Sequence, residues 1–273
     1  MASGEPLGLI AGNGSFPRLV AQAAQRRGRR VVAVGLREET APELEAQVDE
    51  FHWVSLGQLG RCLALLKQAR VKEAIMAGQV KHRQIFSGAL PDWKMLGLMT
   101  RLATKSTDSI IGAVAEVLAQ EGITLLSSVA FLEDQLAVAG AMTRRKPSAD
   151  ERRDIDYGVR IARALGGLDL GQTVAVKERA AVALEAMEGT DEVIRRAGQI
   201  AGPGATVIKL AKPRQDMRFD VPVVGPATLE AMREAGAGIL AVEARKTLLI
   251  EKDDFLAQAN KLGIAVWGLE PES

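Results

Sequence analysis

Short apolar runs that end in turn residues alternate with helical periodicity through the first third of this chain, and few folds accept that order. LGLIAG (7–12), RVVAVGL (30–36), FHWVSLG (51–57) and EAIMAGQV (73–80) are rich in Val, Ile and Leu and read as buried strands. Between them, PRLVAQAAQRRG (17–28) and GQLGRCLALLKQA (58–69) carry apolar residues three and four apart, with basic residues elsewhere, which predicts helices. Strand, helix, strand in succession implies a parallel sheet with right-handed crossovers. The first domain is therefore expected to be Rossmann-like.

Residues 90–121 read as two helices, the second capped by Ser106 or Thr107 with Asp108 in its positive first turn. A last strand, ITLLSSV (123–129), is expected to close the domain at residue 132. The charged stretch 133–149 reads as a connector. The remainder, 150–273, reads as a second α/β domain. It opens with a helix (150–167) and a strand pair (173–186) that turns at Lys177 to Arg179. A helix follows at 189–198, capped by Thr190 and ended by Gly198. Strand 205–212, a polar loop (213–228), helix 227–235, strands GILAVEA and TLLIE, helix 252–262 and strand IAVWG complete it.

Composition removes several functions. With 35 basic and 34 acidic side chains there is no overall electrostatic pull toward nucleic acid, so an anionic ligand must be held locally. One cysteine, Cys62, forbids an internal disulfide and a multi-cysteine zinc site, and it reads as a core residue of its helix. Two histidines, His52 and His82, leave little for a dinuclear metallophosphoesterase. His52 and Trp53 read as core or interface residues, and His82 as part of a surface cluster with Lys81 and Arg83. MASGEPLGLIAG lacks a basic segment followed by a long apolar one, so a cytoplasmic protein is expected.

Four stretches carry chemistry. Gly12, Asn13 and Gly14, in GNGSFP, sit between the first strand and helix, where glycine lets backbone approach a ligand and helix amides favour a phosphate. A plain tight turn is the alternative. Pro17 replaces the third glycine of a dinucleotide fingerprint, and Glu38 and Glu39 arrive 26 and 27 positions after Gly12, late for a ribose clamp. Gln58 points to the carboxyl edge of the sheet, as a ligand contact or a helix cap. Glu185, Glu188, Thr190 and Asp191 crowd a strand-to-helix turn, either as ligands for a hard cation or as a capping arrangement. The run KPRQDMRFDVP (212–222) sets Asp216 and Asp220 around Arg218, with Lys212 and Arg214 before them. Acids that hold Mg²⁺ and orient water, with cations that offset phosphate charge, are what phosphoryl transfer requires. An extended loop would put Asp216, Arg218 and Asp220 on one face.

LIAGNGSFP (9–17), HWVSLGQLG (52–60), GQV (78–80), TD (107–108), LDLGQTVAV (168–176), EAMEGTDEVIRRAG (185–198) and KPRQDMRFDVPVVGPAT (212–228) together resemble the LpxI family, bacterial UDP-2,3-diacylglucosamine pyrophosphatases of lipid A biosynthesis. The resemblance runs from about residue 7 to 268. It implies a Rossmann-like N-terminal domain and a distinct C-terminal catalytic domain. It also implies Mg²⁺-dependent hydrolysis of UDP-2,3-diacylglucosamine to UMP and 2,3-diacylglucosamine 1-phosphate (lipid X). An essential aspartate falls on Asp216 or Asp220, both of which fit the motif. Ser109 stands where a second acid is expected after Asp108.

On that basis Asp216, Asp220, Arg218 and Lys212 are the expected catalytic residues. Asp216, Asp220, Glu185 and Asp191 are the expected metal ligands. Substrate contacts are expected from Gly12, Asn13, Gly14, Gln58, Gln79, Thr107, Asp108, Gln172, Lys177, Glu188, Gly189, Thr190, Asp191 and Gln215. Trp93, Met95, Leu96, Leu98, Met99 and Leu102 could line a trench for acyl chains, or form ordinary core. The expected partner is a glycolipid nucleotide, not nucleic acid, met by peripheral contact with the cytoplasmic face of the inner membrane; a homodimer is compatible. The rival readings are an NAD(P)-dependent oxidoreductase and a non-catalytic nucleotide or lipid carrier.

Overall fold

The structure, a computed structural model, describes residues 4–80, 91–100, 107–213 and 215–271, with backbone alone at 107 and 108. It divides into two compact units. Residues 1–132 and Asp216–Asp220 form the first, and Glu133–Gln215 with 221–273 the second.

In the first unit, β1 (Leu7–Ala11), β2 (Val31–Leu36), β3 (Glu50–Val54), β4 (Glu73–Ala77) and β5 (Thr124–Leu125) form one parallel sheet in the order β3-β2-β1-β4-β5. This is the doubly wound order, which reverses between β1 and β4. Helices α1 (Phe16–Arg26), α2 (Leu59–Gln68), α3 (Trp93–Met99) and α4 (Thr107–Gln120) accompany it. The pleat explains the apolar runs, because successive side chains face opposite ways and both faces are covered. Val32, Val34 and Ala74 pack with Leu63 and Leu66 of α2 and Leu118 of α4, while α1 buries Val20, Ala21 and Ala24. Cys62 lies in that first cluster, and burial pushes its thiol up to about 12.

The expected strand 123–129 is only two residues long. Leu126 N still donates to Ala74 O at 2.9 Å, but Ser128 N then turns to Met217 O at 2.8 Å, so the backbone bonds that would prolong β5 go to another segment. His52 has an acid partner, since Glu50 lies two residues away on the same strand and its Oε1 is 2.7 Å from His52 Nε2. Asp92 caps α3 through Met95 N and also accepts from Gly60 N at the start of α2.

The second unit holds a six-stranded sheet in the order β6-β13-β11-β9-β7-β8: β6 (Gly140–Ala141), β7 (Thr173–Lys177), β8 (Ala180–Leu184), β9 (Thr206–Lys209), β11 (Ile239–Glu243) and β13 (Ala265–Leu269). Its centre, β13-β11-β9, is parallel, and its flanks are antiparallel. A separate parallel pair joins β10 (Val223–Val224) to β12 (Leu248–Leu249). The stretch read as a connector supplies β6 against Trp267 and Gly268. Alternate residues again serve two faces: Ile208, Ile239 and Ala241 pack against α5 (Ala149–Gly167), and Val207, Leu240 and Val242 against Ile194 of α6 (Thr190–Ala201), Leu229 and Met232 of α7 (Pro226–Ala235) and Phe255 of α8 (Lys252–Lys261). Helix α6 does not end at Gly198. A Cβ there would stand 2.6 Å from Ala235 Cα, so this glycine admits α7, and the helix ends instead before Gly202 at φ 67°. Its N-cap is Gly189 rather than Thr190.

Candidate active site

The glycine bend and GQV are two halves of one junction. Past the end of β1, Gly12 N donates to Ala77 O at 2.8 Å, and Asn13 and Gln79 exchange backbone hydrogen bonds of 2.8 and 3.1 Å. A Cβ on Gly12 would lie 2.7 Å from Gln79 O, and one on Gly78, at φ +93°, would lie 2.6 Å from Asn13 O. Both positions must therefore be glycine for the β1–α1 turn to close on the end of β4. The amides of Gly12 and Asn13 are thereby committed to the end of β4 and the residues after it. Asn13 Nδ2 donates to Glu39, a buried carboxylate read from the sequence as late for a ribose clamp.

Asp216–Asp220 is a turn and not the extended loop expected, because Phe219 N and Asp220 N both donate to Asp216 O, at 3.1 and 2.8 Å. The Asp216 carboxylate accepts from Arg218 N, Nε and Nη2 at 2.6–3.1 Å. Hydrogen bonding by the Arg218 guanidinium holds this carboxyl below the usual carboxylate range, and the arginine is raised in return. Besides the Ser128 N–Met217 O bond, three side chains hold the turn in the first unit. Phe219 packs against the apolar cluster of α2 and α4, and Ser127 Oγ donates to Met217 O. Buried Ser128 Oγ lies 2.6 Å from Met76 O and 2.8 Å from Arg218 O, sharing its one proton between two carbonyls. The strand that closes the glycine junction thus also anchors the Asp216 turn, and both features stand at the carboxyl end of β4, beside the point where strand order reverses. Neither serine was legible as functional.

The other expected residues divide. Glu185 and Asp191 are grouped in the second unit, and Asp216 and Asp220 in the first. Among the described residues no three His, Cys, Asp or Glu side chains assemble as a metal cluster. Glu185, buried, accepts from Gln172 N and from Thr190 Oγ1, both at 3.1 Å, and Thr190 Oγ1 in turn accepts from buried Lys209 at 2.5 Å. Glu188 accepts from its own backbone N–H, from Ala186 N and from Arg196, and these bonds hold it below the usual carboxylate range. Lys177 donates to Ala201 O at the end of α6, and Gln58 Oε1 accepts from Ser55 N, closing its own turn. Lys212 Nζ donates to Asp169, while Gln215 accepts from Lys212 N and its amide lies 3.5 Å from Gln172.

The proposed acyl trench is split: Leu98 is buried, Met95 and Met99 pack on the core, and Trp93 and Leu96 are exposed. Lys81, His82, Arg83, Leu102, Ser106, Arg214 and the side chains of Thr107 and Asp108 lie outside the described residues.

Residues 6–135 match the LpxI N-terminal domain and residues 138–267 the LpxI C-terminal domain. The chain belongs to the LpxI family. A relative from Caulobacter vibrioides, named UDP-2,3-diacylglucosamine pyrophosphatase LpxI, is 29% identical over 277 residues, which cover 97% of this chain and 98% of the relative. Among solved structures, CobK precorrin-6A reductase aligns over 99% of this chain and 89% of its own at 10% identity and a TM-score of 0.30. The biotin carboxylase domain of a thermophilic 2-oxoglutarate carboxylase aligns over 72% and 33% at 15% identity and a TM-score of 0.27. Overlap that slight bears on neither the fold nor the site of this LpxI family member. No helix among its described residues is long and apolar enough to cross a membrane.

Proposed function

We propose that this protein hydrolyses the pyrophosphate bond of UDP-2,3-diacylglucosamine to UMP and 2,3-diacylglucosamine 1-phosphate, with Mg²⁺, at the cytoplasmic side of a membrane. The observation that carries the reading is the joining of the Asp216 turn and the glycine junction to the end of one strand, β4. The name of the Caulobacter relative supports the choice of substrate.

Mg²⁺ is commonly bound by one or two carboxylates, with water and substrate phosphate oxygens completing its shell. Asp216 and Asp220, the first and last residues of one turn, fit that demand and would hold the ion. When bound, the ion would supply charge neutralisation at the pyrophosphate. The chain does the rest. Asp216, kept ionised by Arg218, accepts a hydrogen bond from the attacking water and orients it in line with the breaking P–O bond. Arg218 offsets charge on the departing phosphate. The Gly14 amide and the first turn of α1, where the macrodipole is positive and no acidic side chain intervenes, favour a phosphate.

Incubation of the purified protein with UDP-2,3-diacylglucosamine, with Mg²⁺ or with chelator, tests this. UMP and the monophosphorylated sugar lipid should appear only with the ion, and no turnover in either condition rejects the assignment.

A further inference from the structure

Helix α3 turns its two faces to different surroundings. Met95, Leu98 and Met99, three and four residues apart, pack on the core of the first unit, while Trp93, Leu96, Gly97 and Thr100 face outward. Trp93 is 76% exposed and Leu96 55%, so a tryptophan and a leucine one turn apart stand side by side in water. Nothing lies within 4 Å of where a Cβ on Gly97 would be, and this face is open.

Fraying does not account for it. The Asp92 carboxylate accepts from Met95 N at 2.9 Å and from Gly60 N at 2.6 Å, which ties the start of α3 to the start of α2. Lys94 pairs with Glu121, just past the end of α4, and Glu121 pairs also with Lys67 of α2. Lys94 Nζ stands 5.5 Å from the centre of the Trp93 ring. The indole is thus held on the surface with a cation beside it.

Its setting in the chain is basic. Residues 80–106, the stretch that contains α3, carry Lys81, Arg83, Lys94, Arg101 and Lys105 against Asp92 alone, whereas the whole chain nets only +1. Met187, exposed to the same degree as Trp93, is set among Glu185, Glu188 and Asp191 instead. Tryptophan among basic side chains suits the headgroup layer of a bilayer, where the indole sits at the acyl boundary and the cations meet anionic headgroups. Interfaces between proteins are, by contrast, depleted in lysine.

We infer that the exposed face of α3 docks this protein on a bilayer that carries anionic headgroups, with Trp93 and Leu96 entering the headgroup layer. The inference rests on the pyrophosphatase reading for why such contact is needed, a substrate with two acyl chains, and adds which surface makes it.

The test is co-sedimentation of the full-length protein and its Trp93→Ala and Leu96→Glu variants with vesicles of phosphatidylcholine, alone or with an equal part of phosphatidylglycerol. Turnover of UDP-2,3-diacylglucosamine is followed alongside, with the substrate held in those vesicles or dispersed in detergent. Both residues are exposed, so neither change reaches the core; unchanged melting temperatures check this. The protein should bind the anionic vesicles, less so in high salt, and each variant should weaken binding about tenfold. Turnover in vesicles at limiting lipid should fall by a similar factor, with turnover in detergent unchanged. Absence of vesicle binding, binding indifferent to both variants, or equal binding to neutral vesicles overturns the inference. So does an equal loss of turnover in detergent, which would make the two residues acyl-chain contacts, or a smaller oligomer on substitution, which would make them a contact between copies. Those outcomes leave the pyrophosphatase reading standing. Vesicle binding that depends on Trp93, without turnover in either medium, overturns the pyrophosphatase reading instead, and the docking face stands.

Discussion

Two acidic runs of this chain, Glu185–Asp191 and Asp216–Asp220, look equally suited to a metal or a phosphate when written as letters, and the structure gives them different surroundings. In the first, Glu185 is enclosed with Thr190 and Lys209 and spends its oxygens on Gln172 N and the Thr190 hydroxyl, while Glu188 answers Arg196 and local amides. Those bonds brace the entry to α6. In the second, the backbone closes on itself and is gripped from behind by Ser127, Ser128 and Phe219, leaving Asp216 and Arg218 partly exposed as a pair. A buried carboxylate whose lone pairs are taken up by the fold is a structural element. The Asp216 carboxylate, by contrast, is partly exposed and paired with the arginine two residues on.

The sharpest way to break this contrast is to remove each carboxylate in turn. Asp216→Asn should lower kcat about 10³-fold, the scale of losing a key electrostatic group, while the melting temperature stays within error of the unmodified protein. A variant that retains a tenth of the activity would put Asp216 outside the chemistry. Glu185→Ala should do the reverse, destabilising the protein by about 2–4 kcal/mol in denaturant titration because Lys209, Thr190 and Gln172 N lose their shared acceptor network. Activity per folded molecule should persist, and a stable but inactive variant would make this run catalytic after all.

Smaller effects sharpen the picture. Ser128→Ala removes the proton shared between Met76 O and Arg218 O, so kcat should fall about tenfold, one hydrogen bond's worth, with KM unchanged. An unchanged kcat would mean that Phe219, Ser127 and the Ser128 backbone suffice to hold the turn. The smallest expected effect is on pH. Because Arg218 depresses Asp216, the ionised form and any stability linked to it are present above the ordinary carboxylate range and persist somewhat below it, being lost as pH falls through the depressed value. In Arg218→Met the acid limb of the rate profile should move upward, toward ordinary carboxylate values. A limb that stays in place would show that Asp216 is not the group titrating.

Much of the fold is legible in the sequence because burial on both faces of a parallel sheet writes itself as Val- and Ile-rich runs at regular intervals, and β1 to β4 and the centre of the second sheet were read in that way. Gly198 was not, since a glycine that ends a helix and one that admits a neighbouring helix are the same letter; the choice depends on Ala235, 37 positions away. The site was half legible. Asp216 and the glycine bend stand out by residue type, whereas Ser128 carries no motif and is noticed only through the carbonyls that the fold sets beside it.

The order of strands and helices, the covered apolar faces, and the presence of acids and cations suited to phosphate chemistry follow from the sequence by itself, because periodicity and residue chemistry are local properties. Which partners each acidic run meets, that the 216–220 turn is grouped with the first unit, and that Gly12 must meet Gly78 were decided only by tertiary structure. The reason is that hydrogen-bond partners and steric clearance are set between residues tens of positions apart, and no local pattern records them.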